Sequence, residues 1–133
     1  MTMAIKAILV EDSARIRANL IPTLREIAGI EVVAVAETQA EAANAAQQHG
    51  DWQLIVVDMF LREGSGLGVL RDLIKRRSDQ VALVLTNYPT SEIRRRCAEL
   101  NADGVFDKSL ELEAFFDMCL VVSAGQSGAS PDA

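Results

Sequence analysis

Five side chains in this sequence have the types and placement for chemistry on an anionic group: Glu11 and Asp12, Asp58, Thr86, and Lys108. Each stands at the end of an apolar run, and Asp58 closes Leu54-Ile55-Val56-Val57. Burying an ionised carboxylate is costly without partners, so an aspartate in that position is paired, caps a turn, or does chemistry. Glu11, Asp12 and Asp58 carry −3 and Lys108 carries +1, so a site that gathered all four would hold −2, which one divalent cation neutralises. Donors that are all carboxylate oxygens, with no histidine or cysteine near, suit Mg²⁺ or Mn²⁺ and not zinc. A carboxylate beside such an ion, flanked by a hydroxyl and an ammonium, is equipped to attack phosphorus. The cation and Lys108 neutralise the transferring oxygens while Asp58 supplies the nucleophile. Replacing one carboxylate charge by a phosphoryl group of about −2 adds negative charge that Thr86 and Lys108 are placed to bind. Such a site is a switch as much as a catalyst.

The elements that must position these residues are legible as five apolar stretches of strand length alternating with five segments of helical period. The strands are read at 4–10, 31–36, 53–58, 81–85 and 105–107. Helix one starts near Ser13 with Ile16, Leu20, Leu24 and Ile27 on one face and stops at Gly29. Helix two opens on the capping pair Thr38 and Glu41, and helix three follows Gly64-Ser65-Gly66 with Leu67, Leu70 and Ile74 facing in. Helix four covers about 90–100, burying Ile93, Cys97 and Leu100 with Arg94, Arg95 and Arg96 outward, and helix five covers about 110–122. This rhythm predicts an α/β domain, a doubly wound (βα)5 unit around a five-stranded parallel sheet. Ligands bind such sheets at the carboxyl edge, where the strand order reverses. With the order 2-1-3-4-5, strands one and three are neighbours at that point and the three carboxylates converge.

The bulk properties agree with one domain over 1–123 and a flexible tail over 124–133. A chain of 133 residues, 50% hydrophobic and 24% charged, buries enough surface to fold without metals or disulfides. No run reaches the roughly 18 apolar residues of a membrane span, and the first apolar run contains Lys6 and ends in Glu11-Asp12, unlike a signal peptide. A cytoplasmic protein without membrane association is expected. The net charge of −6 argues against sequence-independent nucleic-acid binding, so no direct DNA binding is expected. Cys97 and Cys119 lack metal or disulfide spacing and read as core, and the single His49 reads as a helix end. Gly64-Ser65-Gly66 matches neither a dinucleotide fingerprint nor a P-loop and reads as turn chemistry.

Glu11-Asp12, the strand ending at Asp58 with Gly64-Ser65-Gly66 beyond it, Leu85-Thr86 and Phe106-Asp107-Lys108, in this order, resemble the receiver domain of two-component response regulators. The resemblance covers nearly the whole chain. It implies a flavodoxin-like fold in which Asp58 accepts a phosphoryl group from a sensor histidine kinase or phosphotransfer protein. By the same resemblance Asp12, Asp58 and the backbone carbonyl of Phe60 bind Mg²⁺ directly and Glu11 acts through water. Thr86 swings toward the phosphoryl group, and Lys108 pairs with it. The protein then signals to a downstream protein target by a phosphorylation-dependent change of the helix four, strand five and helix five face. That face carries Tyr88, the three arginines, Glu111, Glu113 and Asp117, a mixed charge compatible with homodimerisation. The tail is too short to be an output domain, so the expectation is a receiver that binds a partner or passes phosphate on. It is not expected to be an enzyme, since it would catalyse only its own phosphorylation and dephosphorylation.

Several positions depart from the family pattern. Arg62 stands where proline is common, which predicts a looser loop after Asp58, and Ser109 follows Lys108 where a proline joined by a cis bond is frequent. Asn87 replaces a small residue, and Val105 takes the place of the usual switch aromatic, leaving Tyr88 and Phe106 as substitutes, with Phe106 facing the core. Bulky Phe60 and Tyr88, two residues past Asp58 and Thr86, flank the site where in-line water would attack, so the phosphorylated form should be long-lived. Two other classes share parts of this pattern. One is a pseudo-receiver that only scaffolds. The other is a phosphohydrolase with an aspartyl nucleophile, similar to the haloacid dehalogenase group; there a second aspartate two residues on acts as general acid, and Phe60 in that position cannot transfer a proton.

Overall fold

The structure, a computed structural model, describes residues 4–126. Its elements in chain order are β1 (Lys6–Val10), α1 (Ala14–Ala28), β2 (Glu31–Ala36), α2 (Gln39–Gln48), β3 (Leu54–Val57), α3 (Gly66–Asp72), β4 (Val81–Thr86), α4 (Ser91–Glu99), β5 (Gly104–Asp107) and α5 (Leu112–Gln126). The strands form one sheet, all neighbours parallel, in the order β2-β1-β3-β4-β5. The doubly wound fold expected from the alternation is the fold observed.

The period-two alternation of the central strands builds a core on each face of the sheet. Ala7, Leu9, Leu54, Val56, Leu83 and Leu85 point to one side, against Leu20 and Leu24 of α1 and Phe115 and Cys119 of α5. Ile8, Val10, Ile55, Val57, Ala82 and Val84 point to the other, against Ala42, Leu70 and Cys97 from α2, α3 and α4. Both cysteines are buried and free, and burial pushes the Cys119 thiol up to about 12.

Helix ends follow the capping chemistry of the sequence. Ser13, Thr38, Ser65 and Thr90 each accept, through the side-chain oxygen, the amide three residues on. Gly29 closes α1 with φ +64, a left-handed conformation that glycine adopts without a Cβ penalty. Two assignments of buried faces change. Leu20, Leu24 and Ala28, spaced by four, form the buried face of α1, while Ile27 is 44% exposed. α3 ends at Asp72, so Ile74 lies beyond it and is half-buried. α5 starts two residues later than expected and reaches Gln126, past the 123/124 boundary expected for the tail. Residues 127–133 lie outside the described residues. The Lys108–Ser109 peptide is trans, as is every other peptide bond among the described residues.

Candidate functional site

The ladder hydrogen bonds continue one residue past the strand tips and set the acids side by side. Val10 is in register with both Ala36 and Val57; beyond it the Glu11 amide donates to the Ala36 carbonyl at 2.9 Å and the Asp58 amide to the Val10 carbonyl at 3.0 Å. Carboxylate oxygens of Glu11, Asp12 and Asp58 all lie within 4.8 Å of one another. On the far side of β3, Thr86 is in register with Asp107 and its carbonyl accepts the Lys108 amide at 2.9 Å. From there Lys108 reaches back across the edge. Its Nζ donates to Glu11 Oε1 at 2.7 Å and to Asp58 Oδ2 at 3.1 Å.

These three groups are nearly removed from water, and their proton affinities answer to that. Burial pushes the Asp58 carboxyl above its ordinary range, against the opposing pull of Lys108 and the Phe60 amide. Glu11 is likewise raised, chiefly by burial, with the nearby Asp58 charge adding to it and the Lys108 hydrogen bond working against it. Burial works to discharge Lys108, but its hydrogen bond to Glu11 and the charges of Asp58 and Glu11 outweigh burial, and its pKa is raised. A lone ammonium thus serves two buried carboxylates, and the site is short of positive charge.

Asp12 is exposed at the rim, and Glu11, Asp12, Ser13, Ile16, Asp58, Phe60, Asn87, Tyr88 and Lys108 line one open cleft. The donor set fits a hard dication. Three donors on one octahedral Mg²⁺ include at most one opposite pair, about 4.2 Å apart, the others being neighbours about 2.9 Å apart, so the carboxylate oxygens, within 4.8 Å of one another, would draw together to hold it. Thr86 is fully buried and does not line this cleft; its hydroxyl oxygen accepts the Tyr88 amide at 3.3 Å. Phe60 and Tyr88, 57% and 63% exposed, meet edge to face over the opening with ring centroids 5.6 Å apart. Phe106 faces the core, packed on Phe115. Of Tyr88 and Phe106, the two substitutes for the switch aromatic, Tyr88 is therefore the one at the cleft.

The residue in the place of proline links the loop after Asp58 to the turn after β2. The Arg62 amide donates to the Glu37 carbonyl, and its guanidinium pairs with Glu37 at 3.3 Å and Glu41 at 3.5 Å. Thr38 and Glu63 form a parallel bridge, and Gln39 accepts the Ser65 amide. Gly64, with φ +77, leaves room for Gln39, whose Oε1 would lie 2.6 Å from a Cβ there. Sequence reading overlooked Glu37 although its signal was present: like strands one and three, strand two ends in a carboxylate. Arg17, which bonds the Glu11 carbonyl, had no such signal, since its partners are distant in sequence or backbone. Arg94, expected to face outward, is exposed but engaged. It donates to the carbonyls of Val105 and Pro89 and pairs with Glu111 at 3.0 Å.

A family model described as the response regulator receiver domain matches residues 7–119. The chain therefore belongs to the receiver-domain family of two-component systems. Among curated proteins it is 30% identical over 124 residues to the DNA-binding transcriptional activator DevR/DosR of Mycobacterium tuberculosis, covering 92% of this chain and 56% of that protein. The chain thus spans about half the length of that relative. The non-phosphorylated HemR receiver domain of Leptospira biflexa superposes with a TM-score of 0.78 at 26% identity, over 97% of this chain and 99% of that one. The chemotaxis protein CheY4 of Vibrio cholerae, at 23% identity and a TM-score of 0.77 over 90% and 99% of the two chains, shares the fold. No helix among the described residues is long and apolar enough to cross a membrane.

Proposed function

We propose that this receiver accepts a phosphoryl group on Asp58 from the phosphohistidine of a kinase or phosphotransfer protein and signals through the α4–β5–α5 face. The observation that supports it best is the junction of Lys108 with both Asp58 and Glu11 at the mouth of an acidic cleft. Lys108 works against the burial that raises the Asp58 pKa and so favours the ionised form that a nucleophile requires. An Asp58 carboxylate oxygen forms the new bond to phosphorus as the phosphorus–nitrogen bond to the donor histidine breaks, and the imidazole keeps that electron pair. Asp12, Asp58 and the Phe60 carbonyl would hold Mg²⁺, with Glu11 acting through water. The bound ion supplies positive charge to the phosphoryl oxygens. Lys108, already 3.1 Å from Asp58, transfers its hydrogen bond to the new phosphoryl group.

The same step biases the signalling face. When the Thr86 hydroxyl turns to the phosphoryl group, the Tyr88 amide loses its acceptor and the turn before α4 is released. That turn is held to β5 and to the start of α5 by Arg94. The conformational element to be switched is thus the Asn87–Thr90 turn with α4 behind it, and the partner reads the exposed Tyr88, Arg95, Arg96 and Glu113 surface, in a second copy or in another protein.

The reading is tested by incubating the protein with a small acyl-phosphate donor and following its intact mass. One phosphoryl group should be gained with Mg²⁺ present and none after chelation. A gain that ignores chelation, or none at all, would overturn it.

A further inference from the structure

Two halves of the site, the Glu11–Asp12 tip and the loop from Asp58 to Ser65, belong to different strands, and something must hold their separation. Ladder hydrogen bonds end at the Asp58 amide. Beyond it the loop meets the turn after β2, where two backbone hydrogen bonds, from the Arg62 amide to the Glu37 carbonyl and from the Gln39 amide to the Glu63 carbonyl, are joined by side-chain contacts.

Arg17 Nη1 lies 2.7 Å from the Glu11 carbonyl oxygen and 3.0 Å from Glu37 Oε2. The other oxygen of Glu37 pairs with Arg62 Nη1 at 3.3 Å, and Arg62 continues to Glu41. Glu41 Oε1 returns to the Glu37 amide at 2.8 Å. An unbroken chain of charged groups therefore runs from the backbone of Glu11 to the middle of the loop that carries Phe60. Its inner end is the more protected, with Arg17 18% exposed against 59% for Arg62.

We infer that Arg17, Glu37 and Arg62 are positioning residues that strap the Asp58–Ser65 loop to the Glu11–Asp12 tip and so set the spacing of the metal ligands. The inference rests on the receiver reading of the site. The strap substitutes for a rigid proline at position 62: a charged tether anchors from outside what proline would stiffen from within. None of the three belongs to either hydrophobic core.

Electrostatics and positioning make opposite demands, which allows a clean test. Removing a cation beside an acidic cluster strengthens Mg²⁺ binding if charge alone matters. If the cation's work is to hold the loop, its removal weakens binding. Mg²⁺ affinity is therefore measured by NMR titration for the wild type, Arg62→Gln, Arg62→Lys and Arg17→Gln. Without metal, hydrogen exchange is followed at the Arg62 and Gln39 amides, which donate to Glu37 and Glu63 carbonyls. Expected are an affinity about threefold weaker in Arg62→Gln, the scale of an exposed ion pair, and about tenfold weaker in Arg17→Gln, the scale of losing an outer-shell partner. Exchange at both amides accelerates, and Arg62→Lys recovers part of each effect. Equal or tighter Mg²⁺ binding in Arg62→Gln overturns the inference, even if exchange accelerates, since the strap would then be structural only. Arg62 is exposed, so that variant folds whatever happens to Arg17→Gln. A wild type that takes no Mg²⁺ instead removes the receiver reading, and this inference with it.

Discussion

Lys108 Nζ stands 3.1 Å from Asp58 Oδ2 although fifty residues separate the two in sequence. The contact spans β4, because Lys108 leaves the end of β5 and Asp58 the end of β3, and only a long unbranched side chain bridges that width. It makes the nucleophile of the proposed reaction dependent on one ammonium that Glu11 also claims at 2.7 Å.

Stability and function should oppose each other at Asp58. Its pKa is raised from an ordinary 3.8 by burial, and Glu11 from 4.5. A carboxyl raised in the folded state binds more protons folded than unfolded, so its ionisation destabilises the fold as pH rises through that window and remains costly above it. Asp58→Asn removes the cost. It should raise the unfolding free energy at pH 7 by about 0.5–2 kcal/mol, as relief of functional strain commonly does. The gain should vanish below the ordinary carboxylate range. Denaturant melts of both proteins at several pH values measure this; a gain that does not shrink on acidification would contradict the assignment.

The aromatic pair over the cleft should govern the life of the phosphorylated state. Phe60 and Tyr88 contact each other where a water must line up behind the acyl phosphate. Replacing both by alanine should speed phosphate loss about tenfold, or 1.4 kcal/mol of barrier. Both are exposed, so the fold should be untouched. The decay of the phosphorylated mass peak after removal of the donor reads it directly, and an unchanged decay would refute the shielding role.

How much of this could be read from residue types alone varies with range. The five candidate residues are visible because each ends an apolar run, and the parallel α/β order then brings strand tips to one edge. Phe106 is expected to face the core, and it does. Ile27 is expected to do so too and does not, since helical spacing admits two neighbouring faces and only the packing of Ala28 decides between them. The strap through Arg17, Glu37 and Arg62 was invisible for a different reason. Arg62 was judged by the proline it lacks, whereas its effect comes from partners twenty-five and twenty-one residues away, brought close by the turn after β2.

Arg94 should act as a latch on the signalling face. Its three partners lie on the turn before α4, on β5 and at the entrance to α5. Glu111, whose carboxyl is held low by the Asp107 amide and by Arg94, completes the link. Arg94→Ala should cost about 0.5–1.5 kcal/mol of stability, the net worth of a hydrogen bond or two in an exposed setting. It should also accelerate exchange of the Asp107 amide and raise the fraction of molecules able to move α4. An unaltered exchange rate at Asp107 would exclude the latch.

Gly66 should tolerate no side chain. A Cβ there would strike the Asp58 carbonyl oxygen and come within 2.8 Å of Met59 Cα, both backbone atoms at the centre of the site. Gly66→Ala should lower stability by about 1–3 kcal/mol, the usual toll of overpacking, and weaken Mg²⁺ binding together with it. Gly50→Ala, whose nearest neighbour would be 3.9 Å away, serves as the control. Equal melting of the two variants would count against the loop geometry described.

The central claim, that Asp58 is the phosphate acceptor, is tested most directly by locating the modification. The wild type and Asp58→Asn are treated with an acyl-phosphate donor and Mg²⁺, digested, and mapped by mass spectrometry. The added phosphoryl group should fall on the peptide containing Asp58 in the wild type and be absent from Asp58→Asn. Undiminished phosphorylation of Asp58→Asn, or a phosphoryl group mapped to another residue, would contradict the account.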